Sequence, residues 1–217
     1  MRIGILGSGL MGSKLGTLFA RARHDVIFSY SHSDEKLTRL AHAAGGNARA
    51  GTPAEAAGDS DVLLLAVHWS RVDDVITQAG NLSDKVIVTC SLPMNADDTE
   101  LVIAHTSSGA ETLAAKIPNA RVVSAFGTVP SEVLSDVFET KQKATRPSLV
   151  YCGDDAGAKE IVTTLIRDVG FDAVDVGPLR IARYMEPFTL LMAQIAYEGE
   201  RGPEVAYRLE WMGKAKA

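Results

Sequence analysis

The sequence predicts an α/β fold built on a doubly wound, mostly parallel sheet, with a small C-terminal strand-helix-strand-helix extension. Three observations carry that expectation. Short β-rich runs alternate with helical patterns along most of the chain, the signature of repeated βα units. The run 62–67 (Val-Leu-Leu-Leu-Ala-Val) is apolar at every position, as a strand covered by helices on both faces must be. A glycine-rich turn, Gly7-Ser8-Gly9-Leu10-Met11-Gly12, stands between the first strand and the first helix, which is where Rossmann-type sheets bind dinucleotides.

Taken in order, residues 2–6 read as a strand and 11–22 as a helix, whose Leu15, Leu18, Phe19 and Ala22 share one face at i, i+3, i+4 and i+7. Residues 25–29 make a second strand, 35–44 a helix, 47–50 a weak strand and 52–57 a short turn or helix. The buried strand 62–67 follows, then a helix over 70–79, a strand over 85–89, a helix over 107–116 that Pro118 helps to end, and a strand over 121–126. Residues 91–106 have no period and carry Pro93, so they read as a long loop over the carboxyl edge of the sheet. Residues 148–152, 156–169 and 173–176 give strand, helix and strand, and 178–198 a final helix. The polar stretch 141–147 breaks the alternation, so a seam is expected within 128–147. Residues 1–128 are expected to form the dinucleotide-binding domain and 129–217 a smaller part.

Composition narrows the class of function. At 217 residues with 46% hydrophobic and 23% charged, the chain has enough length to bury about 70% of its unfolded surface, and it needs no metal or disulfide staple. The balance of 22 Lys and Arg against 27 Asp and Glu gives a net charge of −5 without a basic block, which speaks against nucleic acid or an anionic membrane as partner. No run approaches the ~18 apolar residues of a membrane span, and the N-terminus lacks the apolar core and cleavage site of a signal peptide. Cys90 and Cys152 are too few and isolated for a disulfide framework and suit a reducing cytoplasm. His24, His42 and His105 have no ligand spacing, so no metal site is expected.

The glycine turn is the strongest functional signal. Gly7 permits a tight turn, Gly9 lets backbone approach a pyrophosphate, and Gly12 allows close helix–strand packing, while the helix N-terminus turns its N–H donors to the anion. The alternative is a glycine turn without a ligand. An NAD-selective site places an acid at the end of the second strand to accept from the ribose 2′-hydroxyl. Here that segment reads Phe28-Ser29-Tyr30-Ser31-His32-Ser33, with no acid before Asp34. Hydroxyls and an imidazole suit a 2′-phosphate, with Lys36 one helical turn further on as an added charge. Ser31 and Ser33 equally suit capping of the next helix, and both roles can hold at once.

With these motifs, nearly the whole chain resembles the NADPH-dependent coenzyme F-420 reductase family, the deazaflavin:NADP oxidoreductases, and the related reductase domain of membrane metalloreductases. Ser31-His32 stands where that family has Ser-Arg for the 2′-phosphate. Ala66-Val67-His68-Trp69 is similar to its Thr-Ile-Pro-Trp segment, and the run 122–130, which includes Phe126, Gly127 and Thr128, resembles its segment lining the nicotinamide. Cys152-Gly153-Asp154-Asp155, and Gly177-Pro178-Leu179 leading into Arg183 and Glu186, complete the pattern. The resemblance implies NADP(H) as cofactor and hydride transfer to a deazaflavin or flavin as second substrate. Two positions depart from it: His32 replaces the arginine and carries only part of a charge near its ordinary pKa of about 6.5, and Gly127 stands where a polar residue is common.

Hydride transfer to a flavin-like ring asks for stacking geometry and exclusion of water more than for a strong acid or base. His68 and Trp69 lie at the carboxyl edge, where ligands of open α/β sheets collect. Trp69 is a candidate wall for the cofactor or a helix-packing aromatic, and His68 a candidate substrate ligand or a solvated loop residue. Ser91 and Pro93 follow the fifth strand and are candidates to approach the nicotinamide ribose or the acceptor. Cys90 reads as an inert thiol at that strand's end, beside the cofactor. Asp97, Asp98 and Glu100 read as a solvated loop face. The last helix carries Tyr184, Phe188, Leu191, Met192 and Ile195 in one stripe, with Met185, Leu190 and Ala193 beside it. This is more apolar surface than one core contact needs. A homodimer is therefore expected, with Met185, Phe188 and Met192 at or near its contact.

Overall fold

The computed structural model describes residues 1–213. Its strands are β1 (Arg2–Leu6), β2 (Asp25–Ser29), β3 (Arg49–Ala50), β4 (Val62–Leu65), β5 (Val86–Thr89), β6 (Arg121–Ser124), β7 (Ser148–Gly153) and β8 (Asp172–Asp175). They form one sheet in the order β3-β2-β1-β4-β5-β6-β7-β8. All neighbours are parallel except β6 and β7, whose register pairs Val123 with Gly153 and Ser124 with Cys152. The order reverses between β1 and β4, so the loops leaving those two strands diverge and open a crevice at the carboxyl edge.

The helices are α1 (Leu10–Arg21), α2 (Asp34–Ala44), α3 (Pro53–Asp59), α4 (Val72–Ala79), α5 (Gly109–Lys116), α6 (Leu134–Glu139), α7 (Ala156–Val169) and α8 (Ala182–Ala193). Alternation along the strands sorts them into two layers. Ile3, Ile5, Val62, Leu64, Val88 and Val123 join one buried cluster with Leu15 and Phe19 of α1, Leu37 of α2, Leu134 and Phe138 of α6, and Leu165 of α7. Leu6, Leu63, Leu65, Ile87 and Val122 join the other, with Ala56 of α3, Val75 of α4, Leu113 of α5 and Met185 of α8. The uninterrupted apolar reading of β4 follows from this: successive side chains enter opposite cores.

Element positions agree with the sequence reading to within a few residues, with two differences. The 128–147 segment holds a helix, α6, whose Leu134, Val137 and Phe138 are buried against α1 and α7. At six residues it is too short to leave a resolvable period. The long final helix is three pieces: a 3₁₀ turn over Leu179–Ile181, α8 with Pro187 inside it, and a π turn over Gln194–Glu198. Beyond it the chain runs back to β7, where the Tyr207 carbonyl accepts from Ser148 N at 2.8 Å and Leu209 N donates to Ser148 Oγ at 3.0 Å. No helix among the described residues is long and apolar enough to cross a membrane.

The packing of α1 on the sheet is tight enough to test. A Cβ at Gly16 would meet the Phe28 ring, with Cζ at 2.8 Å, whereas one at Gly58 in α3 would meet nothing within 4 Å. Gly16→Ala should therefore lower stability by about 1–3 kcal/mol through overpacking. Gly58→Ala should be neutral or stabilising by about 0.5–1 kcal/mol. Urea unfolding midpoints of the two variants check the contrast.

Candidate functional site

The glycine turn is fastened to β2 by three hydrogen bonds: Gly7 N to Ser29 O (3.2 Å), Ser8 N to Tyr30 O (3.3 Å) and Ser8 Oγ to Ser29 O (3.0 Å). Its three glycines have different reasons to be glycine. Gly7 has φ +116°, and a Cβ on it would strike the Ala66 carbonyl and come within 2.6 Å of Val67 Cγ1. A Cβ on Gly12 would run into the Gly7 carbonyl. Both are required by the fold. Gly9 has an ordinary φ of −76°, and a Cβ there would meet nothing within 4 Å. Nothing in the chain itself demands a glycine at position 9.

The N-terminus of α1 is open as well. It has no side-chain cap and no acid in its first turn, while Ser33, Thr52, Ser108 and Asp155 cap α2, α3, α5 and α7. The first backbone N–H groups of α1 thus face open space beside Gly9, in the arrangement that binds a phosphate. The bare backbone at Gly9 and the uncapped donors fit a pyrophosphate. Leu10, the next residue, is 71% exposed.

A cleft lies on each side of this turn. On the β2 side a cleft of about 540 Å³ is lined by Tyr30, Ser31, His32, Asp34, Thr38, Thr52, Arg71 and Asp74, among others. Tyr30, at φ +58°, donates its hydroxyl to Asp74 Oδ2 at 2.5 Å. Burial, with Asp74 beside it, pushes the Tyr30 phenol up to about 12. Ser31 and His32 both line the cleft. Ser33 does not, because its hydroxyl caps α2 by accepting from Lys36 N at 3.3 Å. The exposed Lys36 is also absent from the lining.

On the β5 and β6 side, Leu10, Met11, Cys90, Leu92, Gly127, Thr128, Thr189, Met192 and Tyr197 are among the residues around a cavity of about 220 Å³. A separate space of about 10 Å³, room for one water, shares Cys90, Leu92, Gly127, Thr128 and Thr189 with it and is also lined by Ser91, Met185 and Glu186. The strand-end residues are held by bonds among themselves: Ser91 Oγ accepts from Val67 N at 3.2 Å and donates to Leu65 O at 3.4 Å. Cys90 Sγ donates to Leu65 O, and burial pushes its thiol up to about 12, which leaves it inert. Thr128 is fully buried, its hydroxyl 2.8 Å from that of Tyr207.

Phe126, Trp69, Pro93 and His68, also singled out in the sequence, lie elsewhere than at a cleft wall. Phe126 is fully buried with its ring edge-on to Phe19 at 6.0 Å; its φ of +65° turns the chain so that Gly127 rather than Phe126 reaches the cavity. Trp69 is half-buried against the core cluster on the α4 side. Pro93 is buried under the start of α5, 2.9 Å from where a Gly109 Cβ would be. His68 is a bridge between loops. Its Nδ1 accepts from Ser70 N at 3.2 Å, so the neutral ring carries its proton on Nε2, which lies 3.1 Å from Asp98 Oδ1. Asp98, read from sequence as a solvated acid, is that bridge's other half.

The sequence reading missed what α8 and the C-terminal segment bring. Opposite Gly127, 3.6 Å from where its Cβ would be, stands the hydroxyl of Thr189. One turn earlier Glu186 is buried, with Gly109 N and Ala110 N donating to its two oxygens at 2.9 and 3.0 Å. Burial, with Glu111 nearby, pushes its carboxyl up to about 7, although the two amides favour the anion. Arg183 holds Glu111 through two bonds of 2.8 and 2.9 Å. The only sequence signal for this cluster was Arg183 and Glu186 on a mostly apolar helix.

The fold and this open turn define a dinucleotide-binding α/β protein. Residues 2–93 match the family described as NADP oxidoreductase, coenzyme F420-dependent. Metalloreductase STEAP3 of Rattus norvegicus is 27% identical over 189 residues, covering 87% of this chain, which spans only 36% of that relative's length. A structure from Arthrobacter sp. FB24, provisionally described as an F420-dependent NADP-reductase, superposes with TM-score 0.83 at 21% identity, covering 96% of this chain and 99% of that one. A reductive aminase from Aspergillus terreus in complex with NADPH and ethyl-5-oxohexanoate superposes with TM-score 0.64 at 18% identity, covering 89% and 61%. These structural likenesses establish the fold.

Glu186 leaves a signature in stability. Its carboxyl is raised in the folded chain, so between about 4.5 and about 7 the folded state holds a proton that the unfolded state has released. Stability from this group is then complete below about pH 4.5 and is lost as pH rises through 7, by on the order of 2–3 kcal/mol. The urea midpoint of the wild type should fall between pH 5 and pH 8 more than that of Glu186→Gln, and equal pH dependence in both would contradict the assignment.

Proposed function

We propose that the chain is an NADPH-dependent oxidoreductase that passes a hydride between the nicotinamide and a deazaflavin or flavin acceptor. The observation that carries this reading is Gly9: the one glycine of the turn that the fold does not need stands beside uncapped helix donors, between the cleft of Ser31 and His32 and the cavity beside β5 and β6. The domain match over residues 2–93 supports the cofactor class and the reaction type.

In this reading the adenosine half lies in the cleft of Ser31 and His32, the pyrophosphate on the start of α1, and the nicotinamide between the loops after β4, β5 and β6. Bound NADPH supplies the hydride, and a solvent proton completes reduction of the acceptor. The chain's part is to orient and to dry the site. Gly7, Gly9 and Gly12 set the height of the backbone, Ala66 and Val67 wall the turn, and Leu92, Gly127, Thr128 and Thr189 bound the acceptor space. The residues from 129 onward complete that space through α8 and Tyr207. Cys90 and Cys152 are unpaired, which supports a reducing, cytoplasmic setting.

Purified protein should oxidise NADPH, followed as loss of its near-ultraviolet absorbance, with one of a panel of deazaflavin, flavins, ferric chelates and cyclic imines. Turnover only with a ferric chelate or an imine would replace the proposed acceptor. No turnover with any of them, alongside tight NADPH binding, would favour a binding protein. Gly9→Val should retain the fold and lose NADPH affinity by at least about 100-fold, because its side chain fills the space the phosphates need; calorimetry checks this.

A homodimer belongs to the same reading, with a contact different from the one expected at sequence level. Met185 and Met192 are 7% and 6% exposed within the single chain, and Phe188 packs edge-on to Tyr207 at 5.2 Å. The face left open is Tyr184, Leu191 and Ile195, at 60%, 55% and 47% exposure, positions i, i+7 and i+11 of one helical stripe. A second copy covering this stripe by a two-fold contact gives the assembly. Leu191→Glu should convert it to monomers by sedimentation equilibrium without altering the melting temperature of the monomer; a wild type of 23.1 kDa would overturn it.

A further inference from the structure

The β2-side cleft contains a cation that neither the glycine turn nor the second strand supplies. Arg71 closes the short 3₁₀ turn after β4 (Trp69–Arg71) and lines the cleft shared with Ser31 and His32. Its backbone N–H is bonded to His68 O at 2.8 Å, which fixes its place in the chain. Among the described residues its guanidinium has no ion pair and no hydrogen bond, in a protein where Arg2, Arg21, Arg49 and Arg183 are each paired at 2.8 Å or less.

The acids around the same cleft are mostly occupied. Asp74 accepts from Tyr30 Oη at 2.5 Å and from Gln78 Nε2 at 3.1 Å, and these bonds hold its carboxyl below the ordinary range. Glu55 accepts from Thr52 N at 2.7 Å in the capping box of α3. Asp34 lies in the first turn of α2, where the helix dipole favours it. The cation of the cleft wall without a side-chain partner is therefore Arg71, which feels the charge of Asp74 without an ion pair or hydrogen bond to it. No arginine or lysine follows Ser31 before Lys36, and Lys36 is not at the cleft wall.

We propose that Arg71 is the residue that selects NADPH over NADH, by receiving the ribose 2′-phosphate in the cleft it shares with Ser31 and His32. This rests on the cofactor reading above. A phosphate monoester near neutral pH carries between one and two negative charges, and a free guanidinium is the side chain best shaped to meet it with paired donors. Selectivity in this chain thus comes from the loop after β4. An arginine stacked on the adenine would also line this cleft, but stacking would not distinguish the two cofactors.

Titration calorimetry at fixed ionic strength with NADPH, NADH, adenosine 2′,5′-bisphosphate and 5′-AMP separates these cases in the wild type, Arg71→Gln and Arg71→Lys. Arg71→Gln should lose about 10- to 100-fold in affinity for NADPH and the bisphosphate. Its affinity for NADH and 5′-AMP should change by less than about threefold, and Arg71→Lys should recover part of the loss. Equal losses for NADPH and NADH would make Arg71 an adenine platform and overturn the proposal. So would an unchanged NADPH affinity in Arg71→Gln. A wild type that binds none of the four ligands would overturn the cofactor reading itself, a result distinct from binding that ignores position 71.

Discussion

The close approach of α1 to the sheet at the glycine turn is the constraint on which the rest of the site depends. Gly12 lies against the Gly7 carbonyl, and Gly7 lies against the Ala66 carbonyl and the Val67 side chain, so three chain segments meet with no room for a single Cβ. That crowding fixes the start of α1 against the ends of β1 and β4, and the bonds from Gly7 and Ser8 to Ser29 and Tyr30 fix it against β2. Any loosening would move the uncapped donors of α1 relative to both clefts together. Gly9 stands at the centre of this rigid frame, and it alone of the three turn glycines is free of packing demands.

Both clefts are shaped by how their polar groups are already spent. On the β2 side, Asp74 and Glu55 are held by neighbouring donors that keep both carboxyls below the ordinary range, so they stay anionic and fixed in place. On the other side, Ser91, Cys90 and Thr128 are occupied with Leu65 O, Val67 N and Tyr207. Their hydroxyls and thiol stiffen the loops after β4, β5 and β6. The surfaces they leave toward the cavity, from Leu10, Met11, Leu92 and Met192, are apolar. An apolar and sterically fixed wall suits the stacking of one ring on another, where water must be kept out and little proton traffic is needed.

The antiparallel strand β7 is what brings the C-terminal third of the chain to this wall. Its pairing with β6 places β7, β8 and their connections beside the loop after β6. Tyr207 then bridges Thr128 and Val150 N with one hydroxyl, and α8 lies over the loop after β5, joined to α5 through Glu186 and through the Arg183–Glu111 pair. The cavity beside β5 and β6 is thus assembled from residues near 90, 127 and 189, with Tyr207 bonded behind Thr128, while the glycine turn comes from one segment near position 9.

That difference explains how much was legible in the sequence. The doubly wound sheet, the turn at Gly7-Ser8-Gly9 and the Ser31-His32 corner are local facts: hydrophobic period, glycine spacing and a missing acid lie within short windows, where backbone sterics and patterning act directly. The same locality betrayed the reading of Phe126 and Pro93, and it left Trp69 open between a cofactor wall and the packing aromatic that it is. Whether an aromatic or a proline at a strand's end faces a cleft or the core depends on a φ angle or on a helix arriving from elsewhere. Helix α6 was hidden because six residues carry too little pattern, and its burial against α1 and α7 supplies the energy that propensity does not. Arg71, Thr189, Glu186 and Tyr207 gave almost no signal, since each acquires its meaning from a partner dozens of positions away or from a cleft that forms when β1 and β4 diverge. The sequence by itself determined the architecture and the class of ligand, because those follow from local sterics and periodicity. Tertiary structure alone decided which charges remain unpaired at the cleft and which side chains meet around the cavity beside β5 and β6, because those depend on contacts between segments that the chain order keeps apart.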